Sequence, residues 1–244
     1  MTWRGALLAL FLLLGPAAHA EDYCAYGRGV AVLLIDRTTA FDQTDKTLFL
    51  QALDGVIANL RPGDRLAAFT MTGAYTESRK IFDRCNPACP EEGFFAGLVS
   101  TCRPVVARSD KVAFTRELAQ TLAGLLQQPE ETRFSDLFRT VAEAVRPYAS
   151  NLHTVILFSD LIENSPLIPE RELKRLPPAE IVQRLRSNGV QANFAGAAVR
   201  VFGFGRDDAP GRPPLPQAIR QRIAQAWRDW FAANGAGQIE IGFR

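Results

Sequence analysis

The residues best suited to chemistry are two aspartates that end apolar runs. Asp36 closes "VAVLLID" and opens "DRTTA", and Asp160 closes "TVILFSD" and opens "SDLIENS". A third polar stretch, "PEETRFSDLF", carries Thr132 and Ser135 between them in the chain. Carboxylate and hydroxyl oxygens are the donors a hard divalent cation takes. Each aspartate alone also has a simpler use, capping the next helix or closing a turn. Other chemistries are short of parts. His19 lies in the first twenty residues, which leaves His153 as the one histidine of the rest of the chain. It is expected just ahead of a strand, at the end opposite the aspartates, where it cannot act as their base. No nucleophile elbow, HExxH helix or phosphate loop occurs. "GFGRDD" has Asp208 where a dinucleotide loop needs its third glycine, and it reads as a strand end leading into "APGRPPLP".

The first twenty residues describe a cleavable secretory signal. Arg4 is followed by the apolar run "ALLALFLLLG" and by "PAAHA", with small residues at Ala18 and Ala20. The run is shorter than the roughly 18–20 apolar residues of a membrane span. Cleavage after Ala20 leaves residues 21–244, with 27 basic against 26 acidic side chains. The signs are mixed along the chain, which excludes the clustered basic footprint of a nucleic-acid partner. No second apolar segment of spanning length follows. Cys24 sits in "AEDYC", which lacks the small and apolar residues expected before a lipidated cysteine. The four cysteines, Cys24, Cys85, Cys89 and Cys102, favour disulfides in an exported chain, and three pairings are open. A zinc pair at Cys85 and Cys89 is the alternative. With Pro87 and Pro90, residues 84–104 read as a stapled surface insertion.

Positioning the two aspartates requires strands. "VAVLLID" and "TVILFSD" are apolar nearly throughout, as strands buried on both faces are. "LAAFTMT" and "AAVRVFGF" read as further strands, "SRKIFD" as an edge strand and "QIEIGF" as the last. Helices are expected from about Gln43 to Leu60, Ser109 to Gln127, Ser135 to just before Pro147, Ala179 to Ser187 and Pro216 to Ala233. Ser135 has the residue type of a helix cap. Alternation of this kind predicts one α/β domain over 21–244, a doubly wound, mostly parallel sheet with helices on both faces. Ligands of such Rossmann-like sheets gather at the carboxyl ends of the strands, where strand order reverses. Asp36 and Asp160 are expected there.

This arrangement resembles the von Willebrand factor A domain family, which includes the integrin I domain, over nearly all of residues 28–244. It looks closest to exported bacterial members. In that family Asp-x-Ser/Thr-x-Ser follows the first strand, a Thr precedes the third helix and an Asp follows the fourth strand, and together they hold a divalent cation. The resemblance implies Asp36, Thr38, Thr132 and Asp160 as the metal ligands here. Thr132 takes the lone-threonine role through "TRFSDLF", with Ser135 as the competing assignment. Ala40 departs from the pattern, since the family has a second serine there; a water, Thr39 or Asp42 would have to replace that oxygen. The implied ion is Mg²⁺, with Mn²⁺ or Ca²⁺ as alternatives. Mg²⁺ takes about six oxygens near 2.1 Å and keeps several waters. An acidic side chain of a partner protein can complete the set.

The function implied is a cation-dependent protein-interaction module, in the periplasm or else secreted or on the cell surface. A metal-free scaffold of the same fold, binding through the cysteine loop or the Pro-rich loop, is the second reading. A metal-assisted hydrolase, with the cation activating water, is the third. Glu163 and Asn164 are expected in a solvated turn beyond Asp160, with a supporting role at the site as the alternative.

Overall fold

The computed structural model describes residues 22–38, 43–90, 102–127, 132–204 and 215–242. Residues 1–21, which include the expected signal segment, and Thr39, Ala40, Asp42, Asp208 and most of "APGRPPLP" lie outside them. Six strands form one sheet: β1 (Val30–Asp36), β2 (Arg65–Met71), β3 (Lys80–Cys85), β4 (Leu152–Phe158), β5 (Ala198–Phe202) and β6 (Ile239–Ile241). Their order is β3-β2-β1-β4-β5-β6. All neighbours pair in parallel except β3, which runs antiparallel to β2 at one edge. The expected α/β, Rossmann-like sheet is therefore present.

The period-two alternation of the strands sorts the core into two layers. Val30, Val32 and Leu34 of β1, with Val155 and Leu157 of β4, face one cluster. Ala31, Leu33, Ile35, Ile156 and Phe158 face the other. The first layer is covered by α3 (Leu137–Val145), α4 (Glu170–Arg175), α5 (Pro178–Ser187) and α6 (Gln217–Ala233). The second is covered by α1 (Gln43–Asn59) and α2 (Pro104–Leu126). Every residue of β1 is buried, which explains why its sequence shows no polar alternation. Trp227 of α6 stacks on Phe138 of α3 with ring centroids 3.7 Å apart. That contact locks the last helix over the helix beside the two aspartates.

Three expectations need correction. The second helix begins at Pro104 rather than near Ser109, because proline lacks an amide hydrogen that the first turn would leave unpaired anyway. The six-residue α4 was not foreseen; it sits between Pro169 and Pro177 and is too short to display a helical period. Ser135 does not cap α3: the cap position is Asp136, which makes no side-chain cap hydrogen bond. The cysteines form two disulfides, Cys24–Cys85 and Cys89–Cys102. Cys85 and Cys89 thus belong to different bridges, which removes the zinc pair. Two bridges fit folding in an oxidising compartment. No helix among the described residues is long and apolar enough to cross a membrane.

Candidate functional site

Strand order reverses between β1 and β4, and their carboxyl ends deliver Asp36 and the pair Ser159–Asp160 to the same place. Asp36 is fully buried. Its Oδ1 accepts from the Thr38 amide at 2.8 Å and from the Thr38 hydroxyl at 2.7 Å. Its Oδ2 accepts from the Ser159 hydroxyl at 2.6 Å. The Thr38 hydroxyl lies 3.0 Å from that of Ser135. One carboxylate and three hydroxyls, from three separate loops, are therefore joined. Burial raises the Asp36 carboxyl above its ordinary value, and the hydrogen bonds from Ser159 and Thr38 oppose that shift. The bonding partners are neutral and offset only part of the desolvation cost of the charged form.

Asp160 is 8% exposed, one residue beyond Ser159, and its Oδ1 accepts from the Ile162 amide at 2.9 Å. Leu161 between them has φ 61°, a left-handed conformation costly for a branched residue. Three bonds hold it there, one of them from the Glu163 amide to the Leu161 carbonyl at 3.2 Å. The Leu161 amide donates to Ser159 Oγ at 2.9 Å, and the Leu161 carbonyl accepts from Trp227 Nε1 at 2.9 Å. The strained turn re-aims the chain directly after Asp160.

Of the residues implied by the resemblance, Asp36 and Thr38 are in direct contact, and Asp160 adjoins their partner Ser159. Thr132 stands apart in its described hydrogen bonds, which are to its own loop: its Oγ1 accepts from the Phe134 amide at 3.1 Å. It rests on the backbone at the end of β2, where a Cβ on Gly73 would meet Thr132 Oγ1 at 2.7 Å. Ser135 is the hydroxyl that reaches Thr38. Ser159 was legible only as a polar residue ending a strand.

Glu163 and Asn164 hold the Ser135 loop in place. Glu163 is 1% exposed, not solvated as expected. Its Oε2 accepts from the amides of Leu137 and Phe138 at 2.6 and 3.1 Å, giving α3 the cap that Asp136 does not supply. Burial pushes the Glu163 carboxyl up to about 8; the Asp136 charge adds to this, while Ser165 and the two amides counter it. The backbones of Ser135 and Asn164 exchange two hydrogen bonds, at 3.0 and 2.9 Å. The Asn164 side chain donates to the Arg133 carbonyl and accepts from the Glu170 amide.

His153 is the second residue of β4, at the opposite end of the sheet, and its Nε2 lies 3.4 Å from Asp64 Oδ2. It is remote from Asp36, as expected. Among the described residues no cluster of three or more His, Cys, Asp or Glu side chains forms.

No family model matches the chain, and no curated protein matches it either. Solved structures similar to it include an aerotolerance-related membrane protein from Bacteroides fragilis carrying multiple mutations to serine. It is 12% identical with a TM-score of 0.38, over 88% of this chain and 92% of that one. Proximal thread matrix protein 1 from the mussel byssus is also 12% identical, with a TM-score of 0.34, over 91% of this chain and 43% of its own.

Proposed function

We propose that this chain is an exported protein-interaction module of the von Willebrand factor A type, with a divalent cation at the carboxyl ends of β1 and β4. The observation that carries this reading is the bonded series Ser159–Asp36–Thr38–Ser135, which draws three loops onto one buried carboxylate. The donors are all hard oxygens, which suits Mg²⁺ ahead of softer ions. Asp36, Thr38, Ser135 and Asp160 would hold the ion, with Ser135 in the role the sequence resemblance assigned to Thr132. A cation here would offset the desolvation of Asp36. When bound it supplies an open coordination position, which a carboxylate of the partner protein can fill. The Thr38 and Ser159 hydroxyls orient Asp36, and Glu163 with Asn164 orients the Ser135 loop. The two disulfides support residence in the periplasm or beyond it.

The test is thermal unfolding of the mature chain in EDTA and in Mg²⁺ or Mn²⁺. A cation at 100 times its dissociation constant adds about 2.7 kcal/mol, or roughly 5–10 °C for a domain of this size. The shift is expected in wild type, absent in Asp36→Ala and reduced in Ser135→Ala. Equal melting in EDTA and saturating cation overturns the cation.

A metal-free binding scaffold is the second reading, and one observation favours it. Three neutral donors already occupy the Asp36 oxygens, so the cluster is hydrogen-bonded without an ion. Partner capture that survives both EDTA and Asp36→Ala would select it.

A further inference from the structure

Phe134 is 57% exposed, although it adjoins Ser135 at the hydroxyl cluster. The loop that carries it is fixed on both sides. Thr132 Oγ1 engages the Phe134 amide, and Thr132 itself is seated against Gly73. Asn164 holds the Arg133 carbonyl through its side chain and the Ser135 backbone through a two-bond bridge. The exposed phenyl ring is therefore displayed from an ordered backbone rather than from a frayed one. Arg133 beside it is also exposed. An aromatic ring and a guanidinium on adjacent residues are both enriched where protein interfaces concentrate their binding energy. A loop ordered in advance reduces the entropy lost on association.

We propose that Phe134 is the apolar anchor of the partner-binding face, with Arg133 beside it, and that the occupant is an extended polypeptide segment pairing an acidic residue with a large apolar neighbour. The carboxylate of such a segment is directed to the cluster mouth and the Arg133 charge. The apolar side chain covers the Phe134 ring. This rests on the reading above that a partner carboxylate approaches this mouth. It adds the requirement for a second, apolar determinant in the partner.

The probes are blocked, dye-labelled hexapeptides with Gly-Gly on each side of Asp-Leu, Asp-Phe, Asp-Ser or Asn-Leu, titrated by fluorescence anisotropy against the full mature chain in Mg²⁺ and in EDTA. Asp-Leu and Asp-Phe are expected to bind about tenfold more tightly than Asp-Ser, the scale of one interfacial anchor. Asn-Leu is expected to lose most of its binding. Phe134→Ala should abolish the preference for the apolar neighbour while leaving the Mg²⁺-induced melting shift at its wild-type size. Because Phe134 is exposed, that substitution should leave folding intact. Equal binding of Asp-Leu and Asp-Ser, or an unchanged preference in Phe134→Ala, overturns the proposal. So does an absence of peptide binding in a protein that Mg²⁺ still stabilises, an outcome that leaves the cation reading standing. A preference that depends on Phe134 but persists in EDTA, without a melting shift, keeps the apolar anchor and overturns the cation.

Discussion

A carboxyl group buried against a helix end carries a measurable cost that depends on pH, and Glu163 is such a group. Its folded value of about 8 stands above the 4.5 of the exposed side chain, chiefly through burial. A raised carboxyl binds its proton more tightly in the folded state. Its contribution to stability is therefore complete below about pH 4.5 and is lost as pH rises through 8. Linkage puts the loss on the order of 4–5 kcal/mol across that window. Asp36 and Asp136, also raised by burial, pull the same way. Urea unfolding in EDTA is expected to show stability falling from pH 5 to pH 9. Glu163→Gln keeps an acceptor for the Leu137 and Phe138 amides and should flatten that slope; an equally steep slope in the variant would assign the effect elsewhere. The sequence placed Glu163 in a solvated turn because glutamates are seldom buried, and only the packing of α3 against residues 161–165 encloses it. Asp36 and Asp160 were legible because one ends and the other closely follows a strand that is apolar nearly throughout. Ser159 was not, because a hydroxyl's partner lies on a different loop, and Ser135 was legible only as the competing assignment to Thr132.

Among the elements, α6 reaches the site through one hydrogen bond. Trp227 Nε1 donates to the carbonyl of Leu161, whose left-handed backbone follows Asp160 directly. Trp227→Phe would keep most of the stacking on Phe138 and leave that buried carbonyl without its indole donor. The Glu163 amide still donates to that carbonyl, so a loss of about 0.5–1.5 kcal/mol is expected in urea unfolding. If the Leu161 turn depends on this bond, the variant should also need more Mg²⁺ to reach half of its melting shift. An unchanged cation midpoint would mean that Ser159 and the Glu163 amide maintain the turn without it. The helices and strands themselves were largely readable. Buried strands appear as unbroken apolar runs, and α6 announces itself by Ile223, Trp227, Trp230 and Phe231 on one face. What escaped was local: α4, hidden between two prolines, and the first turn of α2, where Pro104 was passed over.

For the whole molecule, strand polarity separates two tasks. The disulfides lie toward the amino end of the sheet: Cys85 pairs in register with Arg65, the first residue of β2, and Cys24 precedes β1. Loop entropy assigns about 4 kcal/mol to Cys24–Cys85, with its sequence separation of 61, and about 3 kcal/mol to Cys89–Cys102, with 13. Replacing either pair by serine should lower stability in that order, measured by urea unfolding. The cation-induced shift should be unchanged, because Asp36 lies at the other end of the sheet. The same polarity governs how the molecule would stand on a support. Residue 22 enters at the amino end, so a tether attached there would leave the carboxyl ends of β1 and β4, with Phe134, facing away from the support. β6 runs parallel to β5 and finishes at the mouth's own end. A tether attached beyond Ile241 would press the same face toward its anchor, and the choice of end alone would decide whether a captured segment can enter.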